Sequence, residues 1–264
     1  MKYTQVIIGI LSLLAFSSCE KVIHVNLKNA EPRLVIEGKV DNTGNPAKVV
    51  ISKSAVFSAD NNYPKVSGAV VKITDNLGNI FLLAETTAGT YTDTTLTGVI
   101  GRTYHLSVLL EGKTYTASST ITRMATLDSL VVDNNPFGGN VGGGNPEKWV
   151  GVSYKDPVGY GDNMQVVQTI NGKQDRITHV ADDLYSDGGS SPFFMTTGKI
   201  KLNAGDIVKE ELRFIDKHVY RYLLGIQNLA DGFTIPENPN SNISGNVLGF
   251  FSAHTSQTKT IVIQ

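Results

Sequence analysis

The chain has 264 residues with 23 basic and 24 acidic side chains, a formal net charge of −1. So even a balance offers no electrostatic footprint for nucleic acid or for an anionic membrane surface. A single cysteine, Cys19, excludes an intramolecular disulfide, so the fold must rest on hydrophobic burial, and the length is ample for more than one core.

Met1 and Lys2 lead into an apolar run from Val6 to Phe16, followed by Ser17, Ser18 and Cys19. A short positive segment, an apolar stretch and a small-residue cleavage site make a secretory signal. The run is too short to span a bilayer, which takes about 20 apolar residues. A cysteine directly after the small pair reads as a lipidation site, with Phe16 standing where such signals usually carry Leu. On this reading residues 1–18 are removed, Cys19 becomes the acylated first residue, and residues 19–31 form a lipidated tether. Loss of Lys2 leaves 22 bases against 24 acids, a net charge near −2. Membrane attachment then comes from the lipid, and stable anchoring takes more than one acyl chain.

From Pro32 the sequence turns to β signals. Leu34 to Val40, Ala47 to Ser52 and Gly68 to Thr74 are rich in Val and Ile and lie beside turn residues. Asp75-Asn-Leu-Gly-Asn79 links Val70–Ile73 to Ile80–Leu83, and Glu111-Gly112 links Thr103–Leu110 to Lys113–Ile121; both are hairpin signals. In the last of these strands Tyr115, Ala117, Ser119 and Ile121 alternate with Thr and Ser. Short, evenly spaced strands predict a β-sandwich over residues 32–123.

The pattern breaks near Arg123 to Leu127, and residues 124–264 are expected to form a second, separately cored β-rich domain. Leu130–Val132, Trp149–Lys155, Met164–Asn171 and Ile207–Ile215 are its strands, and the Gly-rich stretch from Asn134 to Pro146 is a loop. One amphipathic helix begins after Asp216, which can cap it, with Val219, Tyr222, Leu223, Ile226 and Leu229 on one face. Val247–Ala253 and Thr260–Ile263 close the chain. The predicted class is therefore all-β for the most part, with one helix covering a sheet.

Several strings resemble one family. The Cys19-Glu-Lys start, Glu31-Pro-Arg-Leu-Val-Ile-Glu-Gly38, Val66–Asp75, Gly89-Thr-Tyr91 and Gly112-Lys-Thr-Tyr115 are similar to the Bacteroidota lipoproteins classed as domain of unknown function 4249. Lys155-Asp-Pro157, Gly205-Asp206, Ile215-Asp216 and Ser241–Ala253 continue the resemblance in order over nearly the whole mature chain. It implies an outer-membrane lipoprotein, often encoded beside a TonB-dependent receptor, with a first domain of immunoglobulin-like or prealbumin-like type. It implies no reaction and no ligand, and it leaves open whether the protein faces the cell surface or the periplasm.

Motifs for chemistry are sparse. Gly112-Lys113-Thr114 has Ser107 where a phosphate-binding loop needs its leading Gly, so its amides cannot wrap a phosphate. His24, His105, His179, His218 and His254 show no zinc-binding spacing, and no Gly-x-Ser-x-Gly elbow occurs. Neither a catalytic set nor a cofactor or metal site is expected. Asp182-Asp-Leu-Tyr-Ser-Asp-Gly-Gly189 clusters three carboxylates but lacks the EF-hand spacing, which favours a solvated turn over a cation site. Tyr160, Tyr185, Phe193 and Phe194 lie in Gly-, Asp- and Ser-rich stretches and are the candidates for a ligand or partner surface, with packing over the sandwich edge as the plainer reading. The expected function is a non-enzymatic accessory or binding subunit beside a TonB-dependent receptor in nutrient uptake. A structural assembly factor and an enzyme with a site scattered over second-domain loops are the alternatives. Recognition is expected from loops after the break, including Asp231 to Asn246, with the first sandwich as a spacer.

Overall fold

The computed structural model describes residues 32–54, 63–134, 148–175, 177–183, 187–190, 192–195, 201–230 and 238–264. Cys19, Tyr185, the Gly-rich stretch 137–145 and residues 231–237 lie outside these. The described chain is mostly β with one helix.

Strands β1 (Leu34–Asp41), β2 (Ala47–Lys53), β3 (Val70–Asp75), β4 (Ile80–Thr87), β5 (Thr90–Asp93), β6 (Thr103–Leu110) and β7 (Lys113–Thr120) build the first sandwich. Period-two alternation sets the faces. Ile36, Gly38 and Val40 point inward with Val49 and Ile51, while Glu37 and Lys48 stay exposed on the other face. The alternation read in β7 holds, with Ala117, Ser119 and Ile121 buried and Thr114, Thr116 and Ser118 exposed. Strand β4 serves both layers: its first half pairs with β3 and its second half with β5, with a register shift between Glu85 and Thr87. Both expected hairpins form. Glu111 and Gly112 take φ of 50° and 75°, the left-handed pair that a two-residue turn requires.

The second core lies between two layers. Strands β8 (Thr126–Asp133), β9 (Trp149–Lys155) and β13 (Phe193–Met195) form a three-stranded sheet. It faces β10 (Asn163–Ile170), with β11 (Lys173–Gln174) and β12 (His179–Asp182) beside it, and β14 (Ile207–Ile215). Leu127, Val152, Tyr154, Met164, Val166, Leu212 and Phe214 fill one part of this core, and Val150, Ile170, Leu202, Val208 and Ile263 fill another. Between the two parts sits a polar pair, because β14 alternates Val208, Glu210, Leu212, Phe214 toward the inside. Gln168 Nε2 donates to Glu210 Oε1 at 2.6 Å.

What joins the halves is β15 (Leu248–Val262), a strand of 15 residues. Residues 248–254 pair in parallel with β1, and residues 255–262 pair antiparallel with β14. Ile243, Val247, Phe251 and Ala253 belong to the first core, so residues 32–123 hold only part of the first sandwich. The chain passes near Arg123 from β7 to the three-stranded sheet of β8, and Pro32–Gln264 forms one compact unit. Two glycines admit this strand. Gly38 leaves space for the Phe251 ring, which a Cβ there would meet at 2.8 Å, and Gly249 has φ +95° with Ile36 O only 2.0 Å from where its Cβ would stand.

Helix α1 (Lys217–Ala230) takes over from β14 along β15. Asp216 caps it as expected, its Oδ1 accepting from His218 N at 2.8 Å and Val219 N at 3.1 Å. Its Oδ2 accepts from Ser119 Oγ, which in turn accepts from Ala253 N at 2.8 Å. One carboxylate thus ties the helix to β7 and β15. Val219, Tyr222 and Leu223 are buried, and the Tyr222 ring lies 5.4 Å from Phe250.

Candidate functional site

At one end of the second sandwich, three strand ends deliver aspartates to a common point. Pro157 carries no N–H, so β9 stops there, with Asp156 just past its last residue. Asp162 immediately precedes β10, and Asp183 immediately follows β12. One carboxylate oxygen of each lies within 4.8 Å of those of the other two. All three side chains are buried, Asp156 at 2% exposure and Asp162 and Asp183 at 6%.

The loop between Asp156 and Asp162 is held from beneath. Gly159 and Gly161 have φ of +116° and +112°, which lets the backbone fold over the acids. Asp183 Oδ2 accepts from Gly161 N at 2.8 Å and Asp162 N at 3.1 Å, and Asp187 Oδ1 accepts from Gly159 N at 2.5 Å. Arg123, from the passage between the sandwiches, donates through Nε to Asp162 Oδ1 at 2.6 Å, through Nη1 to Val158 O at 2.9 Å and through Nη2 to Gly159 O. With its inner side pinned, the loop turns Val158 and Tyr160 outward at 82% and 75% exposure.

One guanidinium faces several carboxylates, and the balance shows. Asp156 Oδ2 and Asp162 Oδ2 are buried without a hydrogen-bond partner. Burial, then the charges of Asp162 and Asp183, push Asp156 up to about 6. Burial also raises Asp162, against the opposing pull of Arg123. Conversely, Asp162 raises Arg123. The donors are hard oxygens, suited to a hard cation rather than to a zinc ion seeking nitrogen or sulfur.

The sequence candidates separate. Tyr160 stands on this exposed loop. Phe193 packs into the second core, and Phe194 lies against Gly151, where a Cβ would meet its ring at 2.8 Å; both follow the plainer reading of edge packing. Tyr185 lies outside the described residues. The Asp182–Asp187 turn is not uniformly solvated, which corrects the expectation: Asp183 is buried in the cluster, while Asp182 accepts from Tyr220 OH at 3.2 Å. Asp156 and Asp162 were missed as site residues. Their signal was a Pro- and Gly-containing loop flanked at both ends by aspartates that abut strands.

The described part of the Asp231–Asn246 segment lies on the first sandwich, not among second-sandwich loops. Ser244 Oγ accepts from Thr116 N at 2.8 Å, Ser244 N donates to Thr116 O at 2.8 Å, and Ile243 is buried in the first core. The segment walls a shallow groove of about 730 Å³ bordered by Lys72, His105, Ser118 and His218. His105 Nδ1 and Ser118 Oγ share a hydrogen bond of 2.8 Å across β6 and β7. His254 is buried elsewhere, on β15 itself, its Nδ1 bonded to Ser252 Oγ at 2.9 Å.

These features define a mostly β protein of two cores threaded by one strand, with a buried acidic cluster under an exposed loop. The chain belongs to the family described as Domain of unknown function (DUF4249), whose model matches residues 20–260. No curated protein matches it. Among solved structures, the selenomethionine-substituted chicken interferon gamma receptor alpha chain aligns over 89% of this chain and 99% of its own, at 9% identity and a TM-score of 0.23, a likeness too low to bear on fold or function. Among the described residues no helix is long and apolar enough to cross a membrane, which says nothing about β-barrels.

Proposed function

We propose that this chain is a lipid-anchored, non-enzymatic accessory subunit of a bacterial outer-membrane complex, binding a TonB-dependent receptor in nutrient uptake. The observation that carries the binding role is the Val158–Gly161 loop, which presents an aliphatic and an aromatic side chain to solvent while Arg123, Asp183 and Asp187 fix its backbone. Apolar side chains on a pre-ordered loop lose little entropy on docking, which favours recognition. Anchoring is supported by Cys19 at the end of an apolar leader, with twelve residues between it and Pro32, where the unit Pro32–Gln264 begins. The intervening residues are polar enough to act as a tether.

Cys19→Ser is expected to release the protein from the membrane without loss of folding, since Cys19 precedes the unit Pro32–Gln264 in the sequence. The variant should be exported behind an ordinary cleavable signal, so that an uncleaved leader cannot act as the anchor. Carbonate-washed membranes are expected to retain the wild type and to lose the variant. Retention of the variant would mean that something other than the lipid holds the chain.

A further inference from the structure

We propose that Asp156, Asp162 and Asp183 form a binding site for a divalent cation of the Ca²⁺ class, seated under the Val158–Gly161 loop. This inference is independent of whether that loop meets a partner. A cluster of acids alone would not support it. The second observation is that two of its members, Asp156 and Asp162, are buried beyond nine-tenths and each keeps a carboxylate oxygen without any hydrogen-bond partner. A buried, unbonded carboxylate oxygen is costly, and folded proteins satisfy such atoms with a donor or an ion. Each guanidinium nitrogen of Arg123 is already engaged, on Asp162 Oδ1 and two loop carbonyls, and none donates to Oδ2 of Asp156 or Asp162.

The spacing admits such an ion. Ca²⁺ binds oxygens at about 2.3–2.6 Å, so oxygens on opposite sides of it stand about 5 Å apart. The cluster's oxygens, within 4.8 Å of one another, can all reach one Ca²⁺ with little movement. Mg²⁺ binds at about 2.0–2.1 Å, demands near-octahedral geometry and dehydrates reluctantly, so a site assembled from irregular loop ends favours the larger and more adaptable Ca²⁺. Bound Ca²⁺ would join the loop after β9 to the loop after β12, which already touch through Asp156 N donating to Gly189 O at 2.9 Å. The loop would thereby be locked more firmly.

The test is a thermal melt of the detergent-solubilised mature protein, first in EGTA and then with CaCl₂ added to about 5 mM, well above the affinity range of extracellular Ca²⁺ modules. Binding to the folded state alone is expected to raise the midpoint by about 5 °C, reversibly on EGTA addition. Calorimetric titration of CaCl₂ should show one saturable site. MgCl₂ at the same concentration should give a clearly smaller shift. Asp156→Asn, which keeps the shape and removes one charge, is expected to melt no lower than the wild type in EGTA and to lose the Ca²⁺ increment. Asp182→Asn, whose carboxylate points to Tyr220, should keep it. The proposal is overturned if Ca²⁺ moves the wild-type midpoint by less than about 1 °C with no saturable heat, or if Asp156→Asn retains the full increment.

Discussion

Ending the chain after Asn246 is expected to abolish cooperative unfolding of both sandwiches. That truncation removes the parallel partner of β1 and the antiparallel partner of β14 together. It also strips Phe251 and Ala253 from the first core and Ile263 from the second, all essentially inaccessible to solvent. Loss of a single buried Phe side chain costs about 3–5 kcal/mol against a total stability of about 5–15 kcal/mol, so removal of the whole strand exceeds what either half can lose. For the same reason residues 32–123 are expected to remain unfolded when expressed alone. Gly249→Ala tests the strand at one atom, since its Cβ would fall 2.0 Å from Ile36 O at a backbone φ of +95°. It should destabilise by about 3 kcal/mol or more in urea denaturation, or prevent folding. Thr260→Ala, at an exposed position of the same strand, should change stability by less than about 0.5 kcal/mol. A truncated chain that melts cooperatively near the full-length midpoint would show that β15 closes neither core.

Glu210→Gln is expected to stabilise the protein at neutral pH. Glu210 has no solvent exposure, and burial pushes it from 4.5 up to about 8, with Gln168 opposing and the charge of Asp175 adding to the rise. An acid raised in the folded state takes up a proton on folding at any pH between its unfolded and folded values. Its neutral form is accommodated fully below about pH 4.5, and stability is then lost as pH rises toward 8, by about 1.4 kcal/mol per pH unit. Gln needs no proton, so at pH 7 the variant should gain roughly 3 kcal/mol. His254 works in the opposite sense. Burial, then the nearby charge of Arg213, lowers it from 6.5 to about 4, so its contribution falls as pH drops through that range. Asp156, raised to about 6, titrates mostly below the interval from 6.5 to 8, which therefore belongs chiefly to Glu210. Urea melts across it should show falling stability for the wild type and a nearly flat profile for Glu210→Gln; parallel profiles would mean that Glu210 is charged throughout.

What the sequence made legible was local. Glu111-Gly112 announces its turn because few residue pairs take two positive φ angles, and Asp216 announces the helix because a carboxylate there satisfies free amides. Asn171-Gly172, with φ of 50° and 79°, carries the same turn signal and connects β10 to β11. Glu210 was within reach too, since period two from Val208 through Phe214 places it inward. Long-range features left no such mark. The pairing of Ile36 with Gly249 joins distant residues, and the polar run His254 to Lys259 hid the continuity of β15 by splitting it into two apolar pieces. That run stays in one strand because the chain changes partner there, from β1 to β14. The acidic cluster was legible only in its Asp156–Asp162 half, as Asp156 and Asp183 meet only through the pairing of β10 with β12 and the fold of the Gly159–Gly161 loop.

The most direct test of the accessory-subunit proposal is copurification from native membranes in gentle detergent, comparing the wild type with Val158→Ser/Tyr160→Ser. Both side chains are largely exposed, so the double variant should fold and melt as the wild type does. Leu77→Ser/Leu82→Ser, at exposed positions of the first sandwich, serves as the control. The proposal predicts that the wild type and the control bring down a TonB-dependent receptor in near-stoichiometric amount, and that the loop variant loses most of it. Equal recovery with the loop variant, or a wild type that brings down no receptor, would contradict it.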